Sequence, residues 1–264
     1  MKKSALATAA VLAAIAGPVT AFADDAPAGT TPAADASPLT FNVGAVSDYR
    51  YRGISQTKMK PALQGGADYA AGPVYVGTWL STIKWVKDSG GGNGGNAPAE
   101  WDLYGGTKGD LIKDTLSYDA GVLAYVYLGQ KFHDIGLANP DTGEVYGALT
   151  YGVFTAKVSV SVTPLFGVPD SKGSQYYDLS ANFDLGSGFT LTPHVGHQSV
   201  RGSYAKSVDA SYTDYSVTLG KDFGKGLSAS LQVVGTDANK SWYATSTGKF
   251  TGRTGVVAGV KYSF

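Results

Sequence analysis

From Phe41 to the C-terminus the sequence repeats one unit: roughly ten residues of alternating apolar and polar side chains, then a connector. Successive side chains of a strand point to opposite faces, so each unit describes a strand with one apolar and one polar face. Residues 154–163 show it most sharply: Phe154, Ala156, Val158, Val160 and Val162 oppose Thr155, Lys157, Ser159, Ser161 and Thr163. Twelve such segments are predicted, near 41–52, 62–71, 73–84, 100–108, 114–128, 143–151, 154–163, 175–185, 188–198, 212–222, 226–236 and 252–264. The third does not alternate cleanly, and its faces stay unassigned. The connectors sort by length. Those after even-numbered segments are short, such as Gly152-Val153 and Gly186-Ser187, and those after odd-numbered segments are long. An even strand number with short turns at one end and long loops at the other describes a transmembrane up-and-down antiparallel β-barrel. Strands of about 9–11 residues are long enough to cross the hydrocarbon layer when tilted.

A secreted β-sandwich would also carry many short strands, but its loops need not alternate in length. It would also bury one apolar face per sheet. Here Tyr49, Tyr51, Trp101, Tyr118, Tyr151, Tyr262 and Phe264 fall near strand ends, where interfacial girdles form. The apolar face is therefore expected to touch lipid. The chain closes on Ala258, Val260, Tyr262 and Phe264, all on that face, and Val260, Tyr262 and Phe264 are the expected assembly signal.

The N-terminus fits export. Lys2 and Lys3 precede a short apolar run, and Ala21-Phe22-Ala23 offers a cleavage site, so residues 1–23 read as a signal peptide. Residues 24–40, rich in Ala, Pro, Thr and Asp, read as a flexible linker. The barrel then occupies 41–264. Removing Lys2 and Lys3 from a chain with 21 basic and 21 acidic side chains leaves a net −2, which argues against a nucleic-acid partner. With no cysteine, an exported chain of this kind is held without disulfides. No cluster has metal-ligand spacing, and no cofactor motif is present: the run at 90–96 lacks the Lys-Ser/Thr of a phosphate loop.

Several blocks resemble the TorF-type porin family of proteobacterial outer-membrane proteins. They are NVGAVSDYRYRGISQT (42–57), PALQGGADY (61–69), VYVGTWLST (74–82), EWDLYGG (100–106), LSYDAGVLAYVY (116–127) and EVYGALTYG (144–152). The resemblance covers most of 41–152 and implies an outer-membrane barrel with a porin role. Its terminal aromatic also resembles the signature read by the barrel-assembly machinery.

Alternation places Asp48, Arg50, Gln64, Asp68, Asp102, Tyr104, Asp119, Glu144, Lys157, Asp178, Asn182, His194, Asp214, Gln232, Arg253 and Lys261 on the inward face, as candidate pore lining. Twelve strands fall between the eight that side chains nearly fill and the ~16–18 that enclose a wide channel. The expectation is a narrow outer-membrane channel for small hydrophilic solutes or ions, with acidic residues in excess and hence a cation preference. Charges that pair across strands and merely fill the barrel, giving a structural or adhesive barrel, are the alternative. A hydrolase is a third: His194 should sit beside Asp178 or Ser180. His133 reads as an exposed loop residue and His197 as an interfacial one.

Overall fold

The computed structural model describes residues 38–264; the expected signal peptide and residues 24–37 of the linker lie outside that range. Twelve antiparallel strands form one closed barrel. They are β1 (Leu39–Val46), β2 (Ala62–Ala71), β3 (Val74–Thr82), β4 (Ala99–Ile112), β5 (Leu116–Val126) and β6 (Thr142–Tyr151). Then come β7 (Phe154–Ser161), β8 (Gln175–Ala181 continuing as Phe183–Gly186), β9 (Phe189–Ser199), β10 (Tyr212–Gly224), β11 (Leu227–Thr236) and β12 (Gly255–Ser263). Each strand pairs with its sequence neighbour, and β1 closes on β12, with Val43 opposite Tyr262 and Ala45 opposite Val260. Closure leaves no free edge, which a bilayer requires because it offers backbone groups no hydrogen-bond partner.

The two ends differ as the connector lengths require. At one end turns of two residues, or three between β4 and β5, join the strands. Ser187-Gly188 and Lys225-Gly226 both have positive φ at each central residue, the twist that matches a tight hairpin. A Cβ on Gly226 would lie 2.0 Å from the Ser263 carbonyl oxygen, so glycine is needed there on two counts. At the other end the long loops carry two helices, α1 (Trp85–Gly92) and α2 (Ser203–Ser207).

The outer wall is an apolar belt of Leu63, Val76, Val122, Leu149, Leu179, Val217, Leu231 and Val256, all exposed. Aromatics gather at its short-turn rim. Phe264 stacks on Phe41 with ring centroids 5.8 Å apart and on Tyr262 at 5.7 Å, and Tyr151 and Phe154 also stand exposed there. In β3, Tyr75, Trp79 and Ser81 turn inward while Val74, Val76 and Leu80 turn out. Its pattern was illegible because two large aromatics sit on the interior face. They fit because glycines lie opposite: a Cβ on Gly106 would meet the Tyr75 hydroxyl at 2.6 Å, and one on Gly66 would meet the Trp79 ring at 3.2 Å.

The first strand is shorter than its alternation predicts. It stops at Val46, and the chain bends into the barrel. Residues Arg50–Tyr51 and Ile54–Ser55 form a small hairpin inside, turning at Arg52 (φ 46°) and Gly53 (φ 76°). Tyr49 is 2 % exposed and Tyr51 packs within the interior cluster, so neither belongs to a lipid-facing girdle. The alternation continued through both residues because the hairpin has the same two-residue period as the wall.

Candidate functional site

The inward hairpin spans the barrel interior on the long-loop side, and Asp48, Arg50, Arg52, Ser55 and Thr57 all make side-chain hydrogen bonds there. Asp48 accepts from Arg50 Nε at 2.6 Å, from Ser55 Oγ at 2.5 Å and from Thr57 Oγ1 at 3.1 Å. One terminal nitrogen of Arg50 donates to the carbonyls of Gly53, Thr251 and Arg253 at 2.9–3.1 Å. The five donors of a guanidinium suit it to bind several chain segments at once. Arg52 is fully buried. It donates to both carboxylate oxygens of Glu144 on β6 at 3.1 and 2.7 Å, and to Gln198 on β9 at 2.7 Å. The rings of Tyr51 and Tyr176 flank it at 4.7 and 4.2 Å.

Tyr49 and Tyr127 both donate to Glu100 of β4, at 2.5 and 2.6 Å. Burial, reinforced by the Glu100 charge, holds the Tyr49 phenol well above its ordinary pKa, so it remains a donor. The Tyr51 and Tyr125 hydroxyls meet at 2.8 Å. A single hairpin thus joins β4, β5, β6, β9 and the loop before β12.

Below it lies a second layer. Tyr176 donates to Asp214 at 3.0 Å, and His194 Nε2 lies 2.5 Å from Asp178 and 3.2 Å from the Tyr176 hydroxyl. His194 Nδ1 is 3.6 Å from Asp214. Gly196 makes room for this layer: a Cβ there would lie 1.9 Å from the Tyr176 hydroxyl.

Toward the short-turn end the interior is lined by tyrosines bonded to carboxylates. Tyr104 donates to Asp68 and Tyr75 to Asp119, each at 2.5 Å, and the Tyr75 and Tyr146 hydroxyls are also bonded. Lys157 sits 4.2 Å over the Tyr146 ring and Lys108 lies 5.6 Å from that of Tyr75. Asp68, Lys108, Asp119, Lys157 and Lys261 are only half-buried. Ionised groups keep solvent access where they can, and these side chains retain part of theirs.

Among the residues expected to face inward, Asp48, Arg50, Gln64, Asp102, Tyr104, Glu144, Asp214 and Gln232 are buried in the interior, and Asp178 and His194 form one contact pair. Asn182 sits at the break in β8, its main-chain N–H bonded to Val153 at 2.8 Å. Arg253 lies outside the strand in which it was expected. It precedes β12 and is exposed, offering only its carbonyl to Arg50, because the strand starts at Gly255 rather than 252. Interior residues outside the candidate set are Arg52, Glu100, Lys108 and the tyrosines 75, 146 and 176. All but Tyr75 share the register of residues already assigned inward, so a charge- and hydroxyl-based reading of that register could have found them. His133 and His197 are exposed, the first in a loop and the second bonded to Thr213 at 3.1 Å.

Among solved structures, the NanC porin is similar over 86% of this chain and 98% of its own, with 11% identity and a TM-score of 0.51. An outer-membrane channel from Pseudomonas putida F1 covers 88% and 98% with 12% identity and a TM-score of 0.48. LpxR from Salmonella typhimurium covers 85% and 99%, with 12% identity and a TM-score of 0.44. No curated protein matches the sequence. The first of these likenesses supports the fold, and the lipid-facing belt with its aromatic rim places the barrel in the outer membrane. The family described as bacterial protein of unknown function (Gcw_chp) matches residues 31–264, and the chain, an outer-membrane channel-like barrel, belongs to it.

Proposed function

We propose that the protein is a narrow outer-membrane channel for small hydrophilic solutes or ions, constricted by the hairpin at Asp48–Thr57. The observation that carries this reading is the row of half-buried charges, Asp68, Lys108, Asp119, Lys157 and Lys261, on the interior face below the hairpin. A barrel filled only for rigidity has no use for incompletely buried charge. In a narrow lumen such groups set the potential a passing ion meets. Counted over the whole interior face, carboxylates outnumber cations, which supports a cation preference, while the half-buried row itself holds three lysines to two aspartates. The resemblance of residues 42–57 to TorF-type porins supports the channel role.

The Arg52–Glu144–Gln198 contacts favour a second reading, a structural barrel that the hairpin keeps shut. A hydrolase at His194 is not favoured: both ring nitrogens face carboxylates, the arrangement of a buried ion pair rather than of a serine–histidine couple. Val260, Tyr262 and Phe264 would act earlier, as the segment that the assembly machinery engages.

Single-channel recording of the purified protein in a planar bilayer tests the proposal. Discrete conductance steps are expected, enlarged by Arg52→Gly, which frees the hairpin from β6 and β9. Silence in both proteins would assign the structural role.

A further inference from the structure

All six long loops converge on a cavity of about 510 Å³ above the hairpin. That volume suits one small molecule, since ordinary ligand sites span ~300–1,000 Å³. The wall is aromatic and interlocked. Tyr127, Phe132 and Phe166 pack edge-to-face on Trp85 at 5.0, 5.8 and 6.4 Å, and Tyr204 packs on Trp242 the same way at 5.5 Å. Rings held by one another are pre-organised, so a ligand entering the cavity need not order them. Polar groups gather on one side. There Lys58 donates to Asp88, and the Ser246 N–H donates to the same carboxylate at 2.8 Å. Lys58 and Asp88 are the charged residues of the lining, and they neutralise each other, so the cavity offers no net charge to an ion.

We propose that this cavity is a binding site for an uncharged, ring-bearing solute that carries hydroxyl groups. An apolar ring face would lie on the Trp85–Trp242 wall, and the hydroxyls would turn to the Lys58–Asp88–Ser246 side. A flexible acyl chain fits less well, because a short cavity walled by rigid rings rewards flat contact over length. Binding needs no open pore, so this site stands or falls separately from conduction.

The probe is 4-nitrophenyl glucoside, which joins a ring to hydroxyls and quenches indole fluorescence. It would be titrated into the full chain in detergent. Trp101, whose indole bonds Thr78 on the outer face at 2.7 Å, is replaced by Phe so that micelle partitioning goes unreported. Saturable quenching is expected, with Trp242→Ala weakening the apparent affinity about tenfold, as loss of one stacking ring implies. Unheated gel migration shows whether the variant is folded. Should it misfold, Tyr204→Ala, at a half-exposed wall position, gives the same comparison. Quenching that stays linear in probe, or that neither variant changes, would overturn the site.

Discussion

Arg52 and Glu144, 92 residues apart in sequence, meet inside the barrel through two parallel hydrogen bonds of 3.1 and 2.7 Å. Both side chains are essentially inaccessible to solvent. This pair fastens the inward hairpin to the wall on β6. Removing one member of such a pair leaves an uncompensated buried charge, whereas removing both does not.

Arg52→Leu alone should therefore destabilise the barrel by about 3–5 kcal/mol. Arg52→Leu with Glu144→Leu should recover most of that loss. The temperature at which the compact, unheated gel form disappears measures both. A double variant no more stable than the single would show that the pair is not the fastening.

The layer beneath depends on a missing side chain. Gly196→Ala would drive Tyr176 away from Asp214 and from the Arg52 guanidinium, since the new Cβ would overlap its hydroxyl. Overpacking of this kind costs about 1–3 kcal/mol. Adding Tyr176→Ala should restore room and remove the strain component, which the same thermal assay would reveal as a double-variant stability above the additive value.

The two registers of β7 should respond oppositely. Val158 stands exposed on the outer wall, whereas Lys157 lies inside over Tyr146. Val158→Arg near mid-bilayer should cost about 2–4 kcal/mol of folding free energy. Lys157→Ala should leave stability nearly unchanged and shift the permeability ratio toward cations. Denaturant titration in lipid, paired with reversal-potential measurement, separates the two effects.

Asp88 ties three loops through Lys58 and Ser246, and it does so outside the bilayer. Partial burial raises its pKa, but hydrogen bonds from Lys58 and Ser246 outweigh that and hold it below the ordinary carboxylate range. A depressed carboxylate contributes stability above its unfolded pKa and loses it as pH falls through the folded value. Loop 237–254 should therefore stay protease-resistant at neutral pH and become cleavable only below about pH 4. Asp88→Asn should be cleavable at neutral pH, with little further change on acidification.

At the short-turn rim, Phe264 exchanges two main-chain hydrogen bonds with Phe41, at 2.8 and 2.9 Å, and stacks on its ring. Deleting Phe264 should lower the amount of assembled barrel sharply, while Ser263→Ala should not. Quantifying the heat-modifiable band in outer-membrane fractions decides it.

The wall was legible in the sequence because a lipid-facing strand is a local code. Phe154, Ala156, Val158 and Val160, Tyr177 and Leu179, and Tyr215, Val217 and Leu219 each alternate with polar residues, since one face meets hydrocarbon and the other does not, and connector length reported which end each turn occupied. Charge and hydroxyl content on the other face gave much of the interior by position alone. The hairpin was not legible. Tyr49 and Arg52 continue the alternation of β1, yet they leave the wall at Ser47 and cross the interior. Alternation records only which way a side chain points from its own strand. The partners that turn 48–57 inward, Glu100, Glu144 and Gln198, come from three other strands, with Gln198 146 residues beyond Arg52. Contacts across a barrel join strands that do not neighbour in sequence, and only closure of the barrel brings them within hydrogen-bond distance of one another.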